Sequence, residues 1–153
     1  MKVHFRLIDS SDKENVLFEV HQKTPFIEEM AVLLENYQEK MILVKDYQKN
    51  QDIQLKVTDV FYIEYIERKC FFYTVSKTYE KRITLNQLKS NLPGEFLQIS
   101  KTMIVNVLSV EEIKSSLLNG NLYCLLKNKE ELMVSRHFSK SFKQAINSSN
   151  RQK

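Results

Sequence analysis

Closely spaced short apolar runs constrain the fold of this chain more than any other feature. From residue 53 onward, runs rich in aromatic and β-branched residues alternate with short polar segments. Val57–Ile66 and Cys70–Ser76 flank the charged tip Glu67-Arg68-Lys69, a pattern typical of a β-hairpin. Thr78–Ile83 follows as a third predicted strand. The chain is therefore predicted to be mainly β with short helices, an α+β protein.

Asn119-Gly120 is the strongest hairpin signal in the sequence. Both central residues of a type I′ turn need positive φ, which favours this dipeptide. We expect it to join a strand at Ile113–Leu118 to one at Asn121–Lys127. A second polar turn, Asn128–Glu130, leads into a predicted strand at Leu132–Ser135.

Three helix starts stand out. Thr24 precedes Pro25, which favours the first helical position because its missing N–H costs nothing there. Thr84 is the predicted N-cap of a short helix that ends at Pro93-Gly94. Ser135 is the predicted N-cap of a last helix. The apolar residues of that helix are Phe138, Phe142 and Ile146.

The first fifty residues have a different character from the rest. They predict strands at Lys2–Ile8 and Val16–Val20, joined by the loop Asp9–Asn15, then the Thr24-Pro25 helix and a strand at Met41–Val44. The polar stretch Lys45–Asp52 is a turn or a linker. We therefore expect an α/β extension at 1–50, a main domain at 53–147 and a disordered tail at 148–153.

Charge is unevenly distributed along the 153 residues. Residues 1–55 hold seven Lys or Arg against ten Asp or Glu, whereas residues 56–153 hold sixteen against nine. A basic segment of this length directs the search for an anionic partner to the C-terminal part.

Several function classes find no support in the composition. No apolar run approaches the roughly 18 residues that span a bilayer, and the N-terminus lacks a secretory signal, so we expect a cytoplasmic protein. Two cysteines without metal spacing, Cys70 and Cys124, are expected to be buried thiols. Two glycines exclude a P-loop and a dinucleotide fingerprint, and the three histidines lie far apart. We expect no enzyme, no cofactor and no metal.

The stretch Gln98–Val110 combines an apolar strand pattern with polar interruptions. Ser100-Lys101-Thr102 precedes its most apolar part, and Asn106 lies within it. Basic residues occur at other predicted loops as well, namely Arg68-Lys69, Lys81-Arg82 and Arg136-His137. Hydroxyl and amide groups beside them make the mixture used for phosphate and base-edge contacts. The alternative is that surface loops simply carry solvated charge.

Phe96–Ile146 resembles the second half of a LytTR DNA-binding domain. That family pairs an R/K-S-x-x-V-N strand with a polar hairpin turn and a V-S-R motif that opens the last helix. Here these motifs stand as Ser100–Asn106, Leu118–Leu122 and Val134–His137. Upstream, Val60–Glu64 resembles the first core strand of the family, and Thr84–Leu88 resembles its T-L-x-x-L helix. The resemblance covers roughly residues 53–147.

The resemblance implies an elongated β fold of small sheets packed side by side, which binds DNA through loops rather than through a recognition helix. It also implies binding to paired direct repeats in promoters, usually by two copies on one face of the duplex. The residues that it places at DNA are Lys101 with Ser100 and Thr102, Arg136 and His137, and, in a looser alignment, Arg68 and Lys69. It gives Asn106 and Ser135 structural roles.

Many LytTR proteins carry a receiver domain of about 110–120 residues, which the short N-terminal segment cannot hold. The layout instead resembles the small stand-alone bacterial regulators, which are commonly paired with a small inhibitory membrane protein. Residues 1–50 are then expected to mediate homodimerisation or contact such a partner. Alternatively, they only extend the sheet and cover an edge strand. A different class of function, a protein–protein interaction module of the same fold without DNA binding, also stays open.

Overall fold

A computed structural model of the chain describes residues 16–35 and 39–151. The chain divides into two compact units, Met1–Gln38 and Glu39–Lys153. In the first unit, helix α1 spans Pro25–Glu35. Thr24 begins it as predicted, since its Oγ1 accepts from the Ile27 N–H at 3.4 Å. The predicted strand at Val16–Val20 is wrong, because this segment is irregular. The predicted strand Lys2–Ile8 and loop Asp9–Asn15 lie outside the described residues.

Over residues 39–151, the second unit contains ten strands and two α-helices. The strands are β1 Met41–Asp46, β2 Asp52–Lys56, β3 Tyr62–Ile66, β4 Lys69–Tyr73, β5 Thr78–Lys81, β6 Phe96–Gln98, β7 Met103–Asn106, β8 Val110–Ser115, β9 Leu122–Leu126 and β10 Glu131–Val134. Helix α2 spans Leu85–Lys89 and helix α3 spans Arg136–Arg151. The predicted mainly β class with short helices is therefore confirmed.

The strands form one seven-stranded sheet, in the order β2-β1-β5-β4-β3-β7-β6, and one three-stranded sheet, in the order β10-β9-β8. All of their pairings are antiparallel. Strand β1 is hydrogen-bonded to both β2 and β5, so it belongs to the seven-stranded sheet. The boundary between the two units therefore lies before β1, at Gln38–Glu39, rather than in Lys45–Asp52.

Two apolar cores lie on opposite faces of the large sheet. Side chains alternate between the faces of a strand, so Ile63 and Ile104 enter one core and their neighbours Tyr62 and Val105 enter the other. The first core lies against α2, and the second contains residues of the three-stranded sheet together with Phe142 of α3. Burial on both faces explains why apolar residues occupy consecutive positions in β3, at Tyr62-Ile63, and in β7, at Met103–Val105.

The capping prediction for α2 is confirmed. Thr84 Oγ1 accepts from the Gln87 N–H at 3.3 Å, and Gln87 Oε1 accepts from the Thr84 N–H at 3.2 Å. This reciprocal capping box satisfies two N–H groups that the first turn of a helix leaves without partners.

Two predicted strands are shorter than expected. Gln98–Val110 is not one strand: Ile99–Thr102 connect β6 to β7, and residues 107–109 form a 3-10 turn. Val57–Asp59 likewise forms a 3-10 turn ahead of β3. Apolar runs alone do not reveal such breaks, because apolar residues such as Val57 and Val107 continue from the strands into the turns.

The hairpin at Asn119-Gly120 exists, but its turn is not type I′. Only Gly120 has a positive φ, 68°, and six residues, 116–121, separate β8 from β9. The Gly120 N–H donates to the Ser116 carbonyl at 2.9 Å.

The last helix is longer than predicted. Helix α3 continues to Arg151 and so runs through most of residues 148–153, the segment predicted to be a disordered tail.

Candidate nucleic-acid interface

Three chain segments that carry predicted DNA-contacting residues meet at one end of the second unit. The Tyr65 N–H donates to the Thr102 carbonyl at 2.8 Å, which joins the end of β3 to the β6–β7 loop. The Ser135 N–H donates to the Ile99 carbonyl at 2.8 Å, which joins the start of α3 to the same loop. Backbone bonds therefore hold all three segments, independently of the exposed side chains.

The β6–β7 loop presents Lys101 to solvent. Its shape is set by short-range bonds: the Thr102 N–H donates to Ser100 Oγ at 3.2 Å, and Gln98 Nε2 donates to the Ser100 carbonyl at 2.9 Å. Lys101 and Thr102 are exposed, whereas Ile104 is fully buried two residues later. The loop thus separates the exposed Lys101 and Thr102 from the core of the sheet, while Ser100 is half-buried.

The tip of the β3–β4 hairpin is a two-residue turn, Glu67-Arg68. Both residues have positive φ, 48° and 66°, and both are exposed. A two-residue hairpin turn of type I′ requires positive φ at both of its central residues, so the tight turn accounts for this backbone conformation. Lys69 differs from Arg68, since it is the first residue of β4 and its Nζ lies 3.0 Å from Glu80 Oε1. Part of its charge is therefore neutralised within the fold.

The start of α3 supplies the third segment. Arg136 is exposed, and its Nη2 donates to the Asn119 carbonyl at 3.3 Å, which brings the β8–β9 hairpin tip beside it. His137 is also exposed, with its ring edge-on to Phe138 at a centroid distance of 5.0 Å. Ser135 contributes its backbone N–H to the bond with Ile99, and its carbonyl accepts from Ser139 Oγ at 3.0 Å.

Asn106 lies at the far end of β7 and is 2% exposed. Its Nδ2 donates to the Val60 carbonyl at 3.0 Å, and its Oδ1 accepts from the Leu108 N–H at 3.0 Å. The side chain thus connects the two segments at which the 3-10 turns interrupt the strands. Both polar atoms of this buried amide are therefore hydrogen-bonded within the fold.

The groups whose pKa values are most clearly raised, Tyr62, Cys70 and Cys124, are not among the residues predicted to contact DNA. Burial raises the pKa of Tyr62, whose ring stacks on Tyr73 at 4.3 Å, and the nearby Glu130 adds to this shift. Cys70 and Cys124 are free and buried, as predicted, and burial raises the pKa of each thiol to about 11. Within residues 16–35 and 39–151, no cluster of His, Cys, Asp and Glu is arranged to hold a metal ion.

Comparison with known proteins decides the family. The family model described as "LytTr DNA-binding domain" matches residues 50–147. The chain belongs to this family. The resemblance found in the sequence is therefore confirmed. Among the helices that the structure describes, none is long and apolar enough to cross a membrane.

The chain is similar to uncharacterized HTH-type transcriptional regulators of Staphylococcus aureus. It is 29% identical over 92 residues to the one from strain MRSA252 and 28% identical over 92 residues to the one from strain NCTC 8325. Each match covers 60% of this chain and 62% of the relative. Strands separate each helix from the next in the described part of this chain, so no helix-turn-helix lies there.

A solved structure shows the same fold. It is the LytTr DNA-binding domain of a methyl-accepting/DNA response regulator from Bacillus cereus, with a TM-score of 0.64 and 19% sequence identity. The superposition covers 71% of this chain and 98% of that domain. At this identity the likeness shows the fold alone.

Proposed function

We propose that this LytTR protein is a sequence-specific transcriptional regulator that binds duplex DNA through one surface. We name it the loop face and define it as Arg68, Ser100–Thr102 and Arg136–His137. The observation that carries the proposal is their convergence through the Tyr65–Thr102 and Ser135–Ile99 backbone bonds. Loops held by a rigid sheet are well suited to inserting side chains into the grooves of DNA.

The side chains of the loop face match the chemistry of DNA. Lys101 supplies a point charge for phosphate, and Arg136 can also donate two parallel hydrogen bonds to guanine O6 and N7. Ser100 and Thr102 add hydroxyl donors, and His137 can donate to a phosphate. Arg68 is exposed at the hairpin tip, so its guanidinium is free to meet DNA. Lys69 is expected to contribute less because Glu80 already neutralises part of its charge.

The assembly on DNA belongs to the same proposal. We propose that two copies occupy paired direct repeats, and that the first unit, residues 1–38, contributes to homodimerisation or to contact with an inhibitory membrane protein. The apolar side chains exposed on α1, among them Phe26 and Leu33, support a contact role for this segment. Direct repeats would present the same bases to both loop faces.

The test is a titration with a duplex that the wild-type chain enriches from a random-sequence pool. We expect Lys101→Ala and Arg136→Ala each to weaken binding to this duplex, by about 1–3 kcal/mol where a base contact is lost. If the contact is to phosphate, the slope of log K against log salt should fall by about 0.9 per residue removed.

Lys127→Ala is the matched control. It removes the same charge as Lys101→Ala. Lys127 is exposed and directly follows β9, whereas Ser135 follows β10 at the other end of the three-stranded sheet. Its affinity should stay close to that of the wild type. Equal affinities for the wild type and both loop-face variants, with all proteins folded, would refute the assignment of the loop face.

A further inference from the structure

Two leucines at the tip of the β8–β9 hairpin are the most exposed apolar residues described in the second unit. Leu117 is 102% exposed and Leu118 is 99% exposed. Side chains in this position contribute no packing to the monomer. Both leucines lie in the six-residue turn between β8 and β9, where polar residues are the usual occupants.

The tip that carries the leucines is an ordered turn rather than a frayed end. The Ser116 N–H donates to the Asn121 carbonyl at 2.8 Å, and the Gly120 N–H donates back to the Ser116 carbonyl at 2.9 Å. Side chains add two more bonds, from the Leu118 N–H to Ser116 Oγ at 3.3 Å and from the Asn121 N–H to Asn119 Oδ1 at 3.0 Å. A turn ordered in this way lowers the entropic cost of presenting the leucines to a ligand.

The position of the tip identifies the kind of ligand. Arg136 of the loop face bonds the Asn119 carbonyl of the tip at 3.3 Å, so the leucines lie next to that surface. Residues 116–121 contain no acidic side chain. The tip thus places two leucines beside the positive charge of Arg136, with no negative charge within the turn. This combination suits a polyanion that also offers apolar groups.

We propose that the β8–β9 tip enters the major groove of DNA and that Leu117 and Leu118 contact thymine methyl groups there. This inference rests on the proposed function and adds to it a determinant of base preference. The major groove, about 12 Å wide, admits a two-stranded β-ribbon, and the thymine C5-methyl is an apolar group that bases present in it. The leucines thus select thymine where Lys101 and Arg136 supply charge.

The first test compares Leu117→Ser/Leu118→Ser with the wild type on the duplex enriched by the wild-type chain. We expect at least a tenfold loss of affinity with an unchanged salt slope, because no charge is removed. Thermal unfolding should be unaltered, since the leucines do not pack. Leu108→Ser is the matched control: Leu108 is 63% exposed but lies in the 3-10 turn after β7, away from the β6–β7 loop. Its affinity should stay within twofold of the wild type.

The second test removes the methyl groups instead of the leucines. Replacing thymines of the enriched duplex by deoxyuridine should weaken wild-type binding but should not weaken the double serine variant further. Equal weakening of both proteins would overturn the inference, because the methyl contacts would then come from elsewhere. Unchanged affinity of the double variant would also overturn it. If that variant bound DNA normally but no longer self-associated, a second copy would be the true occupant of the tip.

The two proposals fail differently. A wild-type chain that enriches no duplex would overturn both the proposed function and this inference. Enrichment by the wild type, loss with Arg136→Ala and no loss with the serine pair would overturn only the inference.

Discussion

Replacement of Asn106 by alanine should destabilise the fold without removing any group from the loop face. The side chain is 2% exposed and makes one bond as donor, to the Val60 carbonyl, and one as acceptor, from the Leu108 N–H. Both partners are backbone groups at the turns where the chain leaves one strand and enters the next. Alanine leaves each of them without this partner.

The expected size of the effect follows from these two bonds. A hydrogen bond contributes about 0.5–1.5 kcal/mol net, and leaving a buried partner unsatisfied costs about 1–3 kcal/mol. Water can reach the Leu108 side of the site, because that bond is only part-buried, whereas the Val60 bond is buried. We therefore expect a loss of about 2–4 kcal/mol in the free energy of unfolding. At roughly 4 °C per kcal/mol for a chain of this size, Tm should fall by about 8–16 °C.

Thermal and urea unfolding of Asn106→Ala and Asn128→Ala test this reasoning. Asn128 also accepts a backbone bond, from the Glu130 N–H at 3.1 Å, but in an exposed turn. Water replaces that bond, so its loss should cost below about 1 kcal/mol. DNA affinity of Asn106→Ala, measured well below its Tm, should match that of the wild type. If the two asparagine variants were equally stable, the scaffold role of Asn106 would be refuted.

Two further predictions concern the β1–β2 turn and the N-terminal unit. A hydrogen bond from the Lys49 N–H, together with the Gln48 N–H and Lys77, lowers the pKa of Asp46 although desolvation acts to raise it. The ionised Asp46 carboxylate therefore stabilises the fold at neutral pH, and this stabilisation is lost as the pH falls below about 4. Asp46→Asn should therefore flatten the fall of Tm between pH 5 and pH 2, and an unchanged pH profile would contradict this. A chain that begins at Glu39 retains β1 in the sheet, so light scattering on it tests dimerisation cleanly. It should be monomeric if residues 1–38 dimerise the protein, and a persistent dimer would exclude that role.

Local sequence signals correctly predicted the helix starts and the β3–β4 hairpin, because these features depend on residues close together in the chain. Thr24-Pro25 and Thr84 both begin helices, because capping depends on residues within one turn of the helix start. The charged segment 67–69 marks a real hairpin between β3 and β4. The type I′ assignment at Asn119-Gly120 was wrong, since the length of a hairpin loop depends on where the flanking strands stop pairing.

Which strands pair across long sequence separations could not be predicted from the sequence. Nothing in Met41–Val44 shows that β1 pairs with β5 as well as with β2, so a boundary near residue 50 looked natural. The Glu80 partner of Lys69 was hidden for the same reason, because register across two strands places these side chains together. The exposed pair Leu117 and Leu118 did leave a signal, namely two adjacent apolar residues directly before the turn dipeptide Asn119-Gly120.

The loop face itself combines both kinds of information. Lys101 and Arg136 stand out in sequence as basic residues beside apolar strands, but 35 positions separate them. Two backbone bonds, Tyr65 to Thr102 and Ser135 to Ile99, bring their loops together without using either side chain. A frame built from backbone can therefore keep its shape while the residues that it displays change. Under the proposals made above, base preference would change in the same way, through Lys101, Arg136 or the leucine pair, at little cost to stability. Buried residues such as Asn106 would then set the fold, and exposed ones the choice of DNA.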